Sequence, residues 1–220
     1  MTRAVTILNS NHIWFLDTRA VETILTDLAR WSSAGSYEAF WDDRAQAAAS
    51  LLGTALWVCD LGCGAHQPLR RFLPGNVHYL PADLVAWSPE VAVCDLNANR
   101  WPGIYLECCD IVYILGVLEY LRSPEDVLSH LAKSCPEIVI SYNPSDLSNY
   151  NRDSFGWVNS FSRNAFVQLL QDSSFDLVSG EVFERTQIIV RARSTVRRAG
   201  DVWRRRMSRW LFAMRGWYRR

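Results

Sequence analysis

Short apolar runs rich in β-forming residues alternate along most of the chain with segments whose apolar positions recur every three or four residues. Runs at 56–60, 77–83, 91–95, 109–115 and 136–142 predict five strands, three of them closed by Asp60, Asp83 and Asp95. Candidate helices lie before and between them. Asp17 caps one through Trp31, with Val21, Ile24, Leu25 and Leu28 along one face. Ser36 caps another through Leu52, stopped by Gly53. A third helix spans 124–133, and a fourth begins at a Ser160 or Ser162 cap and ends near Asp172. Runs at 175–183 and 187–193 then read as an antiparallel hairpin. This alternation predicts an α/β fold: a doubly wound, Rossmann-like, mainly parallel sheet of seven strands with an antiparallel edge strand at its C-terminal side. At 220 residues a single core is expected, with the domain over 1–193 and a separate tail over 194–220.

The tail changes the picture of charge. Trp203, Met207, Trp210, Met214 and Trp217 fall four, three, four and three residues apart, one face of a helix over 201–218. Leu211 and Tyr218 widen that face, while Arg204, Arg205, Arg209 and Arg215 take its flanks and back. The formal net charge is zero, yet residues 191–220 hold eleven arginines and one acid, against twelve basic and twenty-two acidic residues elsewhere. A basic amphipathic helix carrying tryptophan suits an anionic membrane surface. Packing on the acidic body, on a partner protein or on nucleic acid are the alternatives. Nucleic acid is the least favoured, since no recognisable binding module accompanies the acidic body. No apolar run approaches the ~20 residues of a membrane span, and no basic-then-apolar leader opens the chain. Six cysteines without paired spacing read as buried small hydrophobes in a reducing compartment, with no metal site. A cytoplasmic location is expected, peripheral on the inner membrane surface where the tail engages lipid.

Candidate chemistry centres on Asp60-Leu-Gly62-Cys-Gly64. Glycines at 62 and 64 permit a sharp turn and a close approach of backbone to ligand, and a following helix would offer N–H groups to an anion. An acid at the mouth of the turn would repel a dinucleotide pyrophosphate but attract an ammonium group. S-adenosylmethionine carries one, beside a carboxylate that suits the loop. Asp83, 23 residues after Asp60, stands where this architecture hydrogen-bonds ribose hydroxyls, and Asp95 could accept from an adenine amino group. The alternative is a tight strand-to-helix turn that holds no ligand.

Taken together, Asp60-Leu-Gly-Cys-Gly64, Asp83-Leu84, Cys94-Asp95-Leu-Asn97 and Ile114-Leu-Gly-Val-Leu-Glu-Tyr-Leu121 resemble the class I S-adenosylmethionine-dependent methyltransferases, over roughly residues 36–193. The likeness is greatest to a small bacterial branch with a Gly-Val-Leu-Glu segment after the fourth strand. It implies that Gly62 and Gly64 contact the methionine part, Asp60 its polar end and Asp83 the ribose. Asp95 and Leu96 would meet the adenine, with Leu115 also on the donor. His66 departs from the pattern, where a further glycine is usual; it either reaches the donor carboxylate or caps a helix. The resemblance also makes helices within 17–52 a lid, with Tyr37, Phe40 and Trp41 as cover residues or as core.

Methylation of oxygen needs a base, whereas an uncharged amine can attack by proximity and desolvation alone. Candidate catalytic residues are Glu119, Tyr120 and His66, with Tyr142 and Asn143 nearby. Glu119 is the best single choice as base; otherwise it orders its loop. Asn143-Pro144 resembles part of an amino-group methyltransferase motif but follows the fifth strand, with Ser145 in place of the second proline. Trp157 and Asn159 could touch a sugar-like or aromatic acceptor, or serve packing and capping. The expectation is methyl transfer to a small-molecule, lipid or glycan acceptor, oxygen favoured, in surface-polysaccharide or natural-product biosynthesis. The alternatives are an N-methyltransferase and a non-catalytic scaffold of the same fold, tethered to a membrane or partner.

Overall fold

The computed structural model describes residues 5–9, 12–16, 31–33, 38, 40–196 and 201–217. Strands β1 (Val5–Asn9) and β2 (His12–Leu16) pair antiparallel as a separate two-stranded sheet. Then follow α1 (Phe40–Ala49), β3 (Trp57–Leu61), β4 (His78–Asp83), β5 (Ala92–Val93), α2 (Ile104–Cys108), β6 (Ile111–Leu115) and α3 (Pro124–Ser134). The chain continues through β7 (Glu137–Tyr142), α4 (Arg163–Asp172), β8 (Phe175–Phe183), β9 (Gln187–Ser194) and α5 (Asp201–Trp217).

The main sheet has seven strands in the order β5-β4-β3-β6-β7-β9-β8. The first five run parallel, and the β8–β9 hairpin adds the reversed edge by pairing β9 antiparallel to β7. This is the doubly wound architecture that the alternating pattern predicted. Strand order reverses between β3 and β6, so a crevice opens beyond their carboxyl ends, where such sheets hold ligands.

Both faces of the sheet are covered, and its central strands are therefore apolar almost throughout. Cys59, Leu61, Val112, Ile114, Ile138 and Ile140 pack with Leu128 and Leu131 of α3 and Phe166 and Leu170 of α4. Val58, Ile111, Tyr113, Val139 and Ile189 face Ala45 and Ala48 of α1, whose small side chains let that helix lie close. Ser162 caps α4, its hydroxyl accepting from the Ala165 N–H at 3.2 Å. All six cysteines are free thiols and buried.

Several expectations need correction. The segment after the glycine turn forms only a short 3-10 turn, Pro68–Phe72, not an α-helix. Gln67 precedes it in the left-handed region at φ 45°, and Pro74 forces Leu73 into an extended conformation that ends it. The third strand is two residues long, and Asp95 lies beyond it in an isolated bridge to Arg100. Cys109 is outside its expected strand because Pro102 and Gly103 start α2, which Cys109 caps. The helix expected from Ser36 is observed as Phe40–Ala49, while Ser36, Tyr37 and all but Trp31 of the helix expected from Asp17 through Trp31 lie outside the described residues.

Helix α5 carries the amphipathic tail, but Met207, Trp210 and Met214 of its apolar stripe are exposed and it packs through another side. Ser208 donates to Glu107 Oε2 at 3.0 Å, and Arg209 donates through Nε to the Cys108 carbonyl at 2.9 Å. The Arg209 guanidinium also pairs with Asp110 and lies 5.1 Å from the centre of the Trp57 ring. Phe212 meets Trp57 and Tyr105 edge-on at 5.9 and 5.8 Å. These partners sit on α2 and at the amino ends of β3 and β6, the opposite end of the sheet from the crevice.

Candidate active site

A cleft of about 680 Å³ occupies the crevice at the β3/β6 reversal. The expected donor-binding and catalytic residues line it: Asp60, Gly62, Gly64, His66, Asp83, Asp95, Leu96, Leu115, Glu119 and Tyr120. The parallel strands bring them together because each strand delivers its carboxyl end to the same edge.

The turn after β3 depends on glycine. Gly62 has φ +80°, and a Cβ there would run into Cγ2 of Val117. The N–H groups of Gly62 and Cys63 donate to the Ala82 carbonyl at 2.8 and 3.2 Å, and that of Gly64 to Asp83 Oδ2 at 2.7 Å. These three donors are engaged within the protein. With the following helix reduced to one 3-10 turn, the expected cradle of loop and helix amides for a carboxylate is not formed by them.

Acids and one cation line the buried end. Asp60 is 3 % exposed and accepts from the Tyr79 hydroxyl at 2.6 Å. Burial raises its carboxyl to about 7, with Asp83 adding to the rise and the Tyr79 hydrogen bond and Arg44 opposing it. Burial also raises Asp83, while the amides of Gly64 and Val85 favour its charged form. Glu119 stands on the 3-10 turn Leu118–Tyr120 just after β6. Its Oε1 accepts from both the backbone N–H and the Nδ2 of Asn143, each at 2.9 Å. Oε2 is buried without a hydrogen-bond partner, and burial raises the carboxyl while Asn143 and Arg44 favour its ionised form.

Arg44 of α1 was not singled out by sequence reasoning. It is buried, its Nε lacks a partner, and burial lowers its pKa against the charges of Glu119, Tyr120 and Asp60. Its guanidinium occupies the space where a Cβ at Gly116 would stand, so the φ +69° glycine after β6 makes room for this cation. The available signal was an arginine sharing the helical face of Ala45 and Ala48. Tyr79 was missed as well, although it alternates onto the same face as Asp60.

Aromatic rings wall the outer part. Trp31 meets Tyr120 edge-on at 4.7 Å, and Trp157 Nε1 donates to the Tyr120 hydroxyl at 3.0 Å. Phe155 stacks on Trp157 at 5.0 Å, with Tyr150, Phe40 and Trp41 also on the wall. Asn159 and Tyr142 do not line the cleft. Asn159 Nδ2 donates to the carbonyls of Leu118 and Leu121 at 2.7 and 2.9 Å, and its Oδ1 accepts from the Tyr142 hydroxyl at 2.9 Å. That hydroxyl also accepts from Phe161 N–H and from Arg152, so the pair braces the Glu119 turn.

No family model matches the chain, and no curated protein matches its sequence. Solved structures share the fold. The N-terminal domain of EvdMO1, crystallised with SAH and D-fucose, is 15% identical over 72% of this chain and 84% of its own, at a TM-score of 0.53. The 1,6-didemethyltoxoflavin-N1-methyltransferase of Burkholderia thailandensis, with 1,6-didemethyltoxoflavin and S-adenosylhomocysteine bound, is 17% identical over 88% and 95%, at 0.56. The cyclase SpnF is 14% identical over 80% and 93%, at 0.57. At such identities the likeness is one of fold, and this fold serves more than one chemistry.

Proposed function

We propose that the cleft binds S-adenosylmethionine and passes its methyl group to a hydroxyl of a small-molecule or glycan acceptor. The observation that carries this reading is the set of buried, strand-terminal acids around a turn only glycine can make, beside a buried carboxylate oxygen without a partner. Relatives in fold that hold SAH or S-adenosylhomocysteine support it. In this reading Asp60 takes the donor ammonium, Asp83 the ribose, and Asp95 with Leu96 the adenine. Arg44, rather than the engaged loop amides, is the cation for the donor carboxylate.

When bound, the donor supplies an electrophilic methyl on a sulfonium. Glu119 Oε2 would accept the acceptor's hydroxyl proton as its oxygen takes the methyl and the sulfonium–methyl bond breaks to leave a neutral thioether. Asn143 holds the carboxylate through its other oxygen and favours the ionised state, while burial raises its basicity. The aromatic wall from Trp31 to Trp157 suits a flat ring or the apolar face of a sugar and excludes water from it. A lipid-linked acceptor gains no support from the tail, which docks at the other end of the sheet from the cleft.

The test is equilibrium titration with S-adenosylmethionine, followed by labelled-donor turnover against a panel of hydroxylated and amine acceptors. Measurable donor binding and label on oxygen are expected, with turnover by Glu119→Gln reduced about 100-fold or more. No donor binding overturns the reading, and undiminished turnover by Glu119→Gln removes Glu119 as base.

A further inference from the structure

Helix α5 uses one side for the domain and, among the described residues, leaves large apolar side chains exposed on the other. Ser208, Arg209 and Phe212 lie on one face and make the described contacts to Glu107, Cys108, Asp110, Trp57 and Tyr105. The opposite face holds Met207, Trp210, Leu211 and Met214, which are 63%, 57%, 45% and 42% exposed. The docked side is the more polar one, so domain packing does not account for the stripe. Large apolar side chains grouped on one helix face in this way mark an interaction surface.

Charge selects the occupant. The helix over 201–217 contains five arginines, of which Arg209 is already paired with Asp110, and one acid, and two further arginines follow at 219 and 220. A second copy meeting this face would bring two such arginine-rich helices together and repel itself. The acidic remainder of the chain is already contacted through the other side of the helix. An anionic lipid surface satisfies both features, since it takes the apolar stripe into its acyl boundary and neutralises the flanking arginines.

We infer that the outward face of α5 binds an anionic lipid surface. The attachment is to the sheet's amino end, and the cleft lies at the other end of strands about 17 Å long. Membrane attachment therefore places the enzyme without presenting membrane-embedded acceptors to it. The inference stands apart from the donor reading, since vesicle binding needs neither donor nor turnover.

Co-sedimentation of the full chain with vesicles of phosphatidylcholine alone, or mixed equally with phosphatidylglycerol, tests it. The chain should pellet with the anionic vesicles at low salt, stay in solution with the neutral ones, and release roughly tenfold on raising salt to physiological strength and beyond. Met207→Glu combined with Trp210→Glu should abolish pelleting while leaving the melting temperature and circular dichroism nearly unchanged, because both side chains are more than half exposed. Trp210→Leu should still pellet but show less quenching of its fluorescence by acyl-brominated lipid. A parent chain that stays in the supernatant with anionic vesicles overturns the inference. So does a double glutamate variant that pellets as well as the parent, or a parent dimer that the glutamates split.

Discussion

Replacing Asp60 by asparagine should stabilise the fold and weaken the ligand site together. The carboxyl is held at about 7 instead of near 4, so the folded protein binds its proton about a thousandfold more tightly than the unfolded chain. At ~1.36 kcal/mol per factor of ten, the ionised side chain costs the fold at most about 4 kcal/mol. The sign follows from the raised value: the cost is absent below pH ~4, develops as pH rises, and is complete above about 7. Asparagine is nearly isosteric, and its carbonyl can still accept from Tyr79. Arg44 loses one of its compensating negative neighbours, which offsets part of the gain. A net stabilisation of about 2 kcal/mol at pH 8 is expected, raising Tm by ~4–8 °C in a domain of this size.

Urea denaturation of parent and variant at pH 5 and pH 8 measures it. The gap should be less than half as large at pH 5, where most of the cost has yet to develop. Affinity for S-adenosylmethionine should meanwhile fall about 10- to 100-fold, the usual consequence of losing a charge-assisted hydrogen bond. A variant less stable than the parent, or a gap identical at the two pH values, would refute the assignment of Asp60 as a carboxylate held against its own solvation.

Two further substitutions probe the framework. Gly62→Ala forces a Cβ onto a positive-φ position and into Val117, and should cost about 1–3 kcal/mol and depress donor binding. Thermal melts of the single variant and of Gly62→Ala/Val117→Ala separate the causes, since the second change relieves only the collision. Tyr142→Phe removes a hydroxyl shared by Asn159, Arg152 and the Phe161 N–H. It should destabilise by about 2–3 kcal/mol in denaturant titration while leaving donor affinity within about twofold, because Tyr142 does not line the cleft.

Sequence carried the fold and the acidic rim of the cleft well, because both follow from local pattern. A parallel sheet aligns the carboxyl ends of its strands, so acids that close successive apolar runs must meet. Arg44 and its space at Gly116 were not legible in the same way. The arginine sits beside Asp42 and Asp43 and reads as a solvated helix residue; its burial depends on a glycine in another element. Tyr142 reads as a neighbour of the catalytic residues and Asn159 as an acceptor contact, since nothing local shows that their hydrogen bonds close on one another. The β1–β2 hairpin also went unread, although Asn9-Ser-Asn11 between two apolar runs is turn chemistry. For the tail, spacing gave the helix and its stripe, but which side docks was decided by Trp57, Asp110 and Tyr105, all distant in sequence.

The six thiols give the molecule a built-in clock for its own opening. None exceeds 3 % exposure, so a thiol reagent in solution reacts only through transient departures from the folded state. Two of them, Cys63 and Cys94, line the cleft, whereas Cys59, Cys108, Cys109 and Cys135 do not. Labelling at 63 and 94 should report breathing of the crevice, and labelling at the other four the rarer excursions that part sheet and helices. Occupancy of the cleft by any small molecule would slow the first pair selectively, which turns a mass spectrometer into a ligand screen that needs no knowledge of the reaction.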